Sequence, residues 1–370
     1  MTLTFSSVFV NPHIKAFPDL SPSQQIQKLK SEGPVGICAY PTASVIQSAV
    51  NVAQYEDRPF TKRLVLGEPQ LLPLYFDLTV LERYYADPRY QFEFRDYYGS
   101  ISISDLYYES ESLPQRDKVF LKTFGLGYDP QDNRVVCVFL RYLFGLSPEH
   151  QQVWNAYLLP TACKMADDYY RNTILGEWAE GMSIYEAFLQ EQVCINDMSR
   201  LIGRPPLFRE TYRDDRPRQF SLFLRPTRSN YYNFILLLDK LISSNINKDF
   251  FRGEIPLDKE IHRRDGKIES QQRGTLTLLN DWLRTKWRVE DDSGFEEIVQ
   301  PLKKVRTLRQ KPVYNISEDE FDPEYYRKQE ELMVEVYGAL RLIRLLFANH
   351  PKVRGYKVPD WLYKGKIKPY

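Results

Sequence analysis

An α+β protein is what this sequence predicts: a mixed, sheet-containing N-terminal region followed by a mainly α-helical C-terminal half. Two observations carry the expectation. Apolar residues alternate with polar ones at a period of two through most of residues 60–140, the pattern of half-buried strands, and from Ser147 onward the period becomes about 3.6, the pattern of amphipathic helices. The chain of 370 residues, 43% hydrophobic and 14% aromatic, is long enough for about two packed cores and apolar enough to offset the entropy of ordering them. The regions expected are 1–145 (mixed α/β), 146–245 (helical) and 270–370 (helical bundle).

In order along the chain, Gly33–Pro41 is a short apolar run closed by turn residues, and Ser44–Val52 has helical spacing. Leu64–Gly67, Leu74–Asp77, Tyr90–Arg95 and Ile101–Ser104 read as strands, with a helix over Leu78–Tyr85 between them. Val119–Phe124 and Val135–Leu140 flank the turn residues Tyr128–Asn133 and read either as a hairpin or as leading into a helix. Ser147-Pro148 opens a helix, the hydroxyl capping free N–H groups and the proline occupying a position where its missing donor costs nothing. Ser183 with Glu186 forms a capping box, and Ser229 is expected to cap the apolar helix through Phe234 and Leu241. The polar segment Asn245–Gly274 reads as a linker or long loop; helices resume at Leu276–Trp287, Phe295–Arg309 and Pro323–Phe347.

Composition narrows the function classes. Lys plus Arg number 50 against 49 Asp plus Glu, so no global field draws nucleic acid or an anionic membrane, and any such binding is local. Cys38, Cys137, Cys163 and Cys194 are far apart and form no metal-ligand spacing, which is the usage of reduced core thiols in a cytoplasmic protein. No apolar run approaches the roughly 20 residues of a membrane span, and no basic start with a cleavage site marks a secretory leader. No Gly-rich phosphate loop with its lysine is present, and no cofactor or metal is expected. Asp167-Asp168 reads as a solvated helix end before it reads as an ion site.

Charge is segregated near the C-terminal end. Lys303, Lys304, Arg306, Arg309 and Lys311 form a basic cluster without an acid between Pro301 and Tyr314, and the acidic run Glu318–Glu324 follows it. Lys303, Lys304, Arg306 and Lys311 are the candidate phosphate contacts, against the ordinary reading of a solvated face balanced by that acidic run. Arg309 falls beside the apolar stripe of its helix, where a guanidinium is expensive to bury without an acceptor, so a bundle carboxylate is expected to hold it.

Arg309-Gln-Lys-Pro-Val-Tyr314 places an aromatic hydroxyl after four intervening residues, and Arg344-Leu-Leu-Phe-Ala-Asn-His350 places an imidazole after five. These spacings resemble the paired Arg and His of the HEPN superfamily, helical-bundle domains of bacterial toxin and defence systems and of RNA-guided RNA nucleases. The resemblance implies a C-terminal bundle that engages RNA, a partner protein or a second copy of itself, in a bacterial defence or toxin-type setting. It also implies candidate catalytic residues: Arg344 and His350, with Arg309 adding charge and Tyr314 at the first motif's His position. Tyrosine, ordinarily ionising near pH 10, is a poor proton acceptor at pH 7. The function expected is therefore a nucleic-acid- or protein-binding protein with a degenerate HEPN-like domain. The alternative is a metal-independent endoribonuclease using Arg344 and His350.

Overall fold

The computed structural model describes residues 51–370 apart from 112, 161, 180, 214–215, 263–267, 288–292, 311–317 and 370, together with 21, 23, 24, 27 and 43–49. The chain divides into two compact units, Met1–Asn51 with Val65–Gly67, and Val52–Leu64 with Glu68–Tyr370. Within the first, the helix Ala43–Ala49 is described; the expected strand over Gly33–Pro41 and Cys38 lie outside the described residues. Everything below concerns the second unit.

Its N-terminal half is an antiparallel sheet. Strands β1 (Pro73–Asp77), β2 (Tyr90–Arg95), β3 (Tyr98–Ile103), β4 (Phe120–Tyr128) and β5 (Arg134–Phe139) run in the order β1-β5-β4-β3-β2, so β2 is an edge strand. The β4–β5 hairpin forms, one of the two outcomes its sequence allows. Asp129 closes the turn by accepting from the backbone N–H groups of Gln131 and Asn133, both at 2.8 Å. A short β6 (Lys164–Met165) pairs with β4. Gly125 is required where it sits, since a Cβ there would lie 2.2 Å from the ring of Tyr169, which packs on the sheet. Leu64–Gly67 is not a strand. Pro59 and the following residues form a helix, Pro59–Val65, whose end Gly67 turns at φ 90°.

Helix α1 (Pro148–Ala156) starts on Ser147 as expected, its hydroxyl accepting from the His150 N–H at 3.3 Å. It buries Trp154 and His150 against the sheet. Trp154 donates to the Tyr84 hydroxyl at 3.0 Å, and the same hydroxyl hydrogen-bonds with His150 Nδ1, 2.6 Å away. Burial holds His150 neutral, with its pKa lowered from 6.5 to about 4, chiefly by desolvation.

The C-terminal half is a helical bundle with its own apolar core. After the short β7 (Met182–Ser183) come α2 (Ile184–Leu201), α3 (Arg228–Leu241), the β8–β9 hairpin (Asp258–His262 and Ile268–Gln272), α4 (Thr275–Lys286), α5 (Ser293–Gln310) and α6 (Glu324–Ala348). Helix α6 packs on α2, α3 and α5, and β10 (Ile367–Lys368) returns beside β7. The Ser183 cap forms, donated to by the Glu186 N–H. The cap of α3 differs from expectation: Thr227 accepts from the Asn230 N–H, while the Ser229 N–H goes to Asp319 at 2.8 Å. The acidic run is thus placed at the positive N-terminus of α3, where a carboxylate is favoured. Asn245–Gly274 is no open linker. Phe250 and Phe251 are fully buried, Phe250 packing edge-on to Trp282 with ring centroids 4.7 Å apart, and the hairpin occupies the rest. Cys137 and Cys194 are buried and Cys163 partly so, none of the three in a disulfide. Among the described residues no helix is long and apolar enough to cross a membrane.

Candidate functional site

The described residues among those singled out by sequence lie on α5, α6 and the turn after α6, and the structure gives four of those six partners. Arg344 projects from α6 into the bundle core, where its Nε donates to Glu191 of α2. Arg344 is 4% exposed and Glu191 is fully buried. Desolvation pushes the Glu191 carboxyl above its ordinary range, and the adjacent guanidinium opposes that rise. The second oxygen of Glu191, Oε1, has no hydrogen-bond partner, so Arg344 is what compensates this carboxylate.

Arg309 is held the same way from α5. Its guanidinium meets Asp239 of α3 at 2.5 Å; the aspartate side chain is fully buried while that of Arg309 stays 42% exposed. The expectation that a bundle carboxylate holds this arginine is met. The two arginines therefore serve different helix pairs, α2–α6 and α3–α5.

His350 follows the end of α6 and starts a 3-10 turn, Pro351–Val353, its Nδ1 accepting the Lys352 N–H at 3.2 Å. This contact occupies Nδ1 and leaves the other ring nitrogen, Nε2, outside it. Tyr314 and Lys311 lie outside the described residues. Of the remaining basic candidates, Lys304 is paired with Glu335 of α6 at 2.7 Å. Lys303 and Arg306 are exposed on α5 without a carboxylate among the described residues. The acidic run does not balance them: Asp319 and Glu320 face Ser229 and Arg228. Asp168, expected at a solvated helix end, is instead buried at 6% exposure and paired with Lys368, and no group of metal-ligating side chains occurs among the described residues.

Two concave surfaces stand out. One is an apolar groove of about 710 Å³ between α5 and α6, reached by Pro301, Val334, Gly338, Leu342 and Leu345. Val334 and Leu345 are 51% and 41% exposed. Pro301 lies inside α5 and donates no hydrogen bond to the Glu297 carbonyl one turn back. The groove is a second apolar stripe on α6, separate from the core-facing stripe of Leu332, Val336, Leu340, Ile343 and Phe347 that the sequence pattern brings out. The second surface is a cleft of about 1190 Å³ where the β2 edge of the sheet faces α2 and α3.

No protein-family model matches this chain, and no match is found among curated proteins or solved structures.

Proposed function

We propose that this protein is a non-catalytic interaction protein whose HEPN-like helical half associates with a second copy of the chain through α6. One observation carries the reading: the exposed face of α6 is self-complementary about Gly338. Laid antiparallel on its twin across a two-fold axis at Gly338, α6 brings together positions equally distant from that glycine. Val334 meets Leu342, each four residues away, and Glu335, which Lys304 already holds within the protomer at 2.7 Å, meets Arg341 as a second cation, each three away, and the axis makes every such contact twice. Leu345 meets the aliphatic stem of Glu331 at the rim.

Gly338 supports the reading independently. Glycine inside a helix costs about 0.5–1 kcal/mol against alanine, and within the protomer nothing requires it, since a Cβ there would meet no atom within 4 Å. A partner helix crossing closely at this point supplies the reason. Arg341, exposed and with no ion pair among the described residues beyond a longer-range attraction to the buried Glu191, gains a direct acceptor in the pair.

Binding is favoured over RNA cleavage because Arg344 is buried and compensates a buried carboxylate. Lys303 and Arg306 remain as unpaired cations among the described residues of α5, a small electrostatic footprint for phosphate. The defence or toxin-type setting rests on the HEPN resemblance alone. Light scattering on the eluting protein tests the reading. The expected mass is twice that of one chain, and Arg341→Glu, which sets two carboxylates against each other at both symmetric contacts, is expected to elute as a monomer. A monomeric wild type, or a dimeric variant, overturns it.

A further inference from the structure

We infer that the β2 edge is a docking site for an extended acidic peptide of a partner protein, which adds to the sheet as a further strand. The backbone geometry identifies the free groups. The Ile103 N–H bonds to Val119 on the β4 side, so Ile103 and its partner Tyr90 do not exchange hydrogen bonds; the neighbouring pair does, Ser104 donating to Arg89 at 3.0 Å. Alternation along β2 then turns the backbone groups of Phe92 and Phe94 away from β3. Only the Phe94 carbonyl is occupied, by Arg216 at 3.4 Å. Among the described residues, the Phe92 N–H and carbonyl and the Phe94 N–H face the cleft, with no further strand or helix paired to them. Such a row is a template for β-strand addition.

The cleft is built to receive something longer than a metabolite. Its volume, about 1190 Å³, exceeds the roughly 300–1,000 Å³ of ordinary small-molecule pockets. Its far wall offers Trp178, Met182 and Leu236, exposed by 75%, 41% and 38%, as apolar surface for alternate side chains of an added strand. The end of β2 is fixed: Asp96 adopts the left-handed conformation at φ 62° and is held there by Arg216 at 2.5 Å.

Charge selects the partner. Glu82 is taken by Arg225 and Asp96 by Arg216. Arg216 also stands 3.9 Å from Glu186, whose carboxyl burial pushes toward the neutral form. What is left facing the cleft is Arg218 and Lys240, with no carboxylate partner among the described residues, and Arg95, which acts on Glu186, against Glu93 and Glu186. Arg218 lies flat over the rings of Tyr85 and Phe92, at 4.5 and 5.4 Å, and donates to the Tyr85 carbonyl at 2.8 Å, so its free N–H groups are presented in a fixed orientation. The charged side chains on β2 deter indiscriminate edge pairing while admitting a strand of complementary sign.

The test uses the full chain and a fluorescein-labelled decapeptide of alternating Asp and Val, read by fluorescence anisotropy. Saturable binding is expected. It should weaken about tenfold when the alternate amides facing β2 are N-methylated, as the loss of one or two backbone hydrogen bonds requires, and by a similar factor in Arg95→Glu/Lys240→Glu, two exposed positions whose change spares the core. A Lys-Val decapeptide should bind at least tenfold more weakly than the acidic one. No binding of the acidic peptide, equal binding of the basic one, indifference to N-methylation, or tighter binding of single-stranded oligouridylate than of the peptide would each overturn the inference. This site is independent of the α6 surface, so Arg341→Glu should leave peptide binding unchanged.

Discussion

Replacing Arg344 by methionine tests whether this residue belongs to the fold or to an active site. The substitution keeps the aliphatic stem and removes the charge, leaving Glu191 fully buried with both oxygens unpartnered, since Oε1 already lacks one. Breaking a buried pair from one side costs about 3–5 kcal/mol, a large share of the 5–15 kcal/mol that holds a typical domain. The carboxyl escapes part of that cost by taking up a proton. Its folded-state pKa, already raised by burial, rises further without the guanidinium, and a raised carboxyl pKa gives stability that is lost as pH rises through it. Arg344→Met is therefore expected to be more destabilised at pH 8 than at pH 5. Adding Glu191→Leu removes the orphaned charge and should restore most of the loss and abolish that pH dependence, because an apolar pair of similar volume is close to neutral at such sites. Urea denaturation followed by circular dichroism at the two pH values measures all four corners of the cycle. A single variant within about 0.5 kcal/mol of wild type, or a double variant no better than the single, refutes the reasoning.

Other outcomes follow from the same geometry. His150, with its pKa lowered to about 4, contributes stability that is complete above pH 6.5 and is lost as pH falls toward 4; at about 1.4 kcal/mol per pH unit the loss reaches at most about 3 kcal/mol. In denaturant titrations across that window His150→Gln should show a correspondingly flatter dependence. Gly125→Ala drives a methyl into the Tyr169 ring and should cost about 1–3 kcal/mol in a thermal or urea melt. His350→Ala should change neither RNA turnover, measured on a labelled single strand without metal, nor the dimer mass; loss of a measurable RNA-cleaving activity in this variant would reinstate the nuclease reading.

Local chemistry made much of the fold legible. The β4–β5 hairpin, the Ser147 and Ser183 caps and the three last helices follow from period, turn residues and capping hydroxyls, all interactions that close within a few positions. Leu64 misled because one short apolar run does not separate a strand from a helix end, and Pro59 was the better signal. The 245–274 segment misled because its polarity hides the adjacent Phe250 and Phe251, which carry the burial. For the site, the sequence required an acceptor for Arg309 without naming Asp239, 70 positions away, or the Glu191 that meets Arg344 across 153. A signal was present: Glu191 and Asp239 each stand on the apolar face of their helix, beside Phe188 and Leu238. The β2 edge could not be read at all, because strand order is a property of the assembled sheet.

The association through α6 is tested most directly by mixing two variants that each oppose it. Arg341→Glu sets its new carboxylate against Glu335 of the second copy, and Glu335→Arg sets its new guanidinium against Arg341 of the second copy. In the heterodimer the Arg341→Glu chain faces the introduced arginine of its partner at one contact, and its own Glu335 faces the partner's unchanged Arg341 at the other, so both contacts join opposite charges. Light scattering should find monomers for each variant alone and a one-to-one heterodimer for the mixture. Dimers of either variant alone, or monomers in the mixture, would contradict the α6 interface.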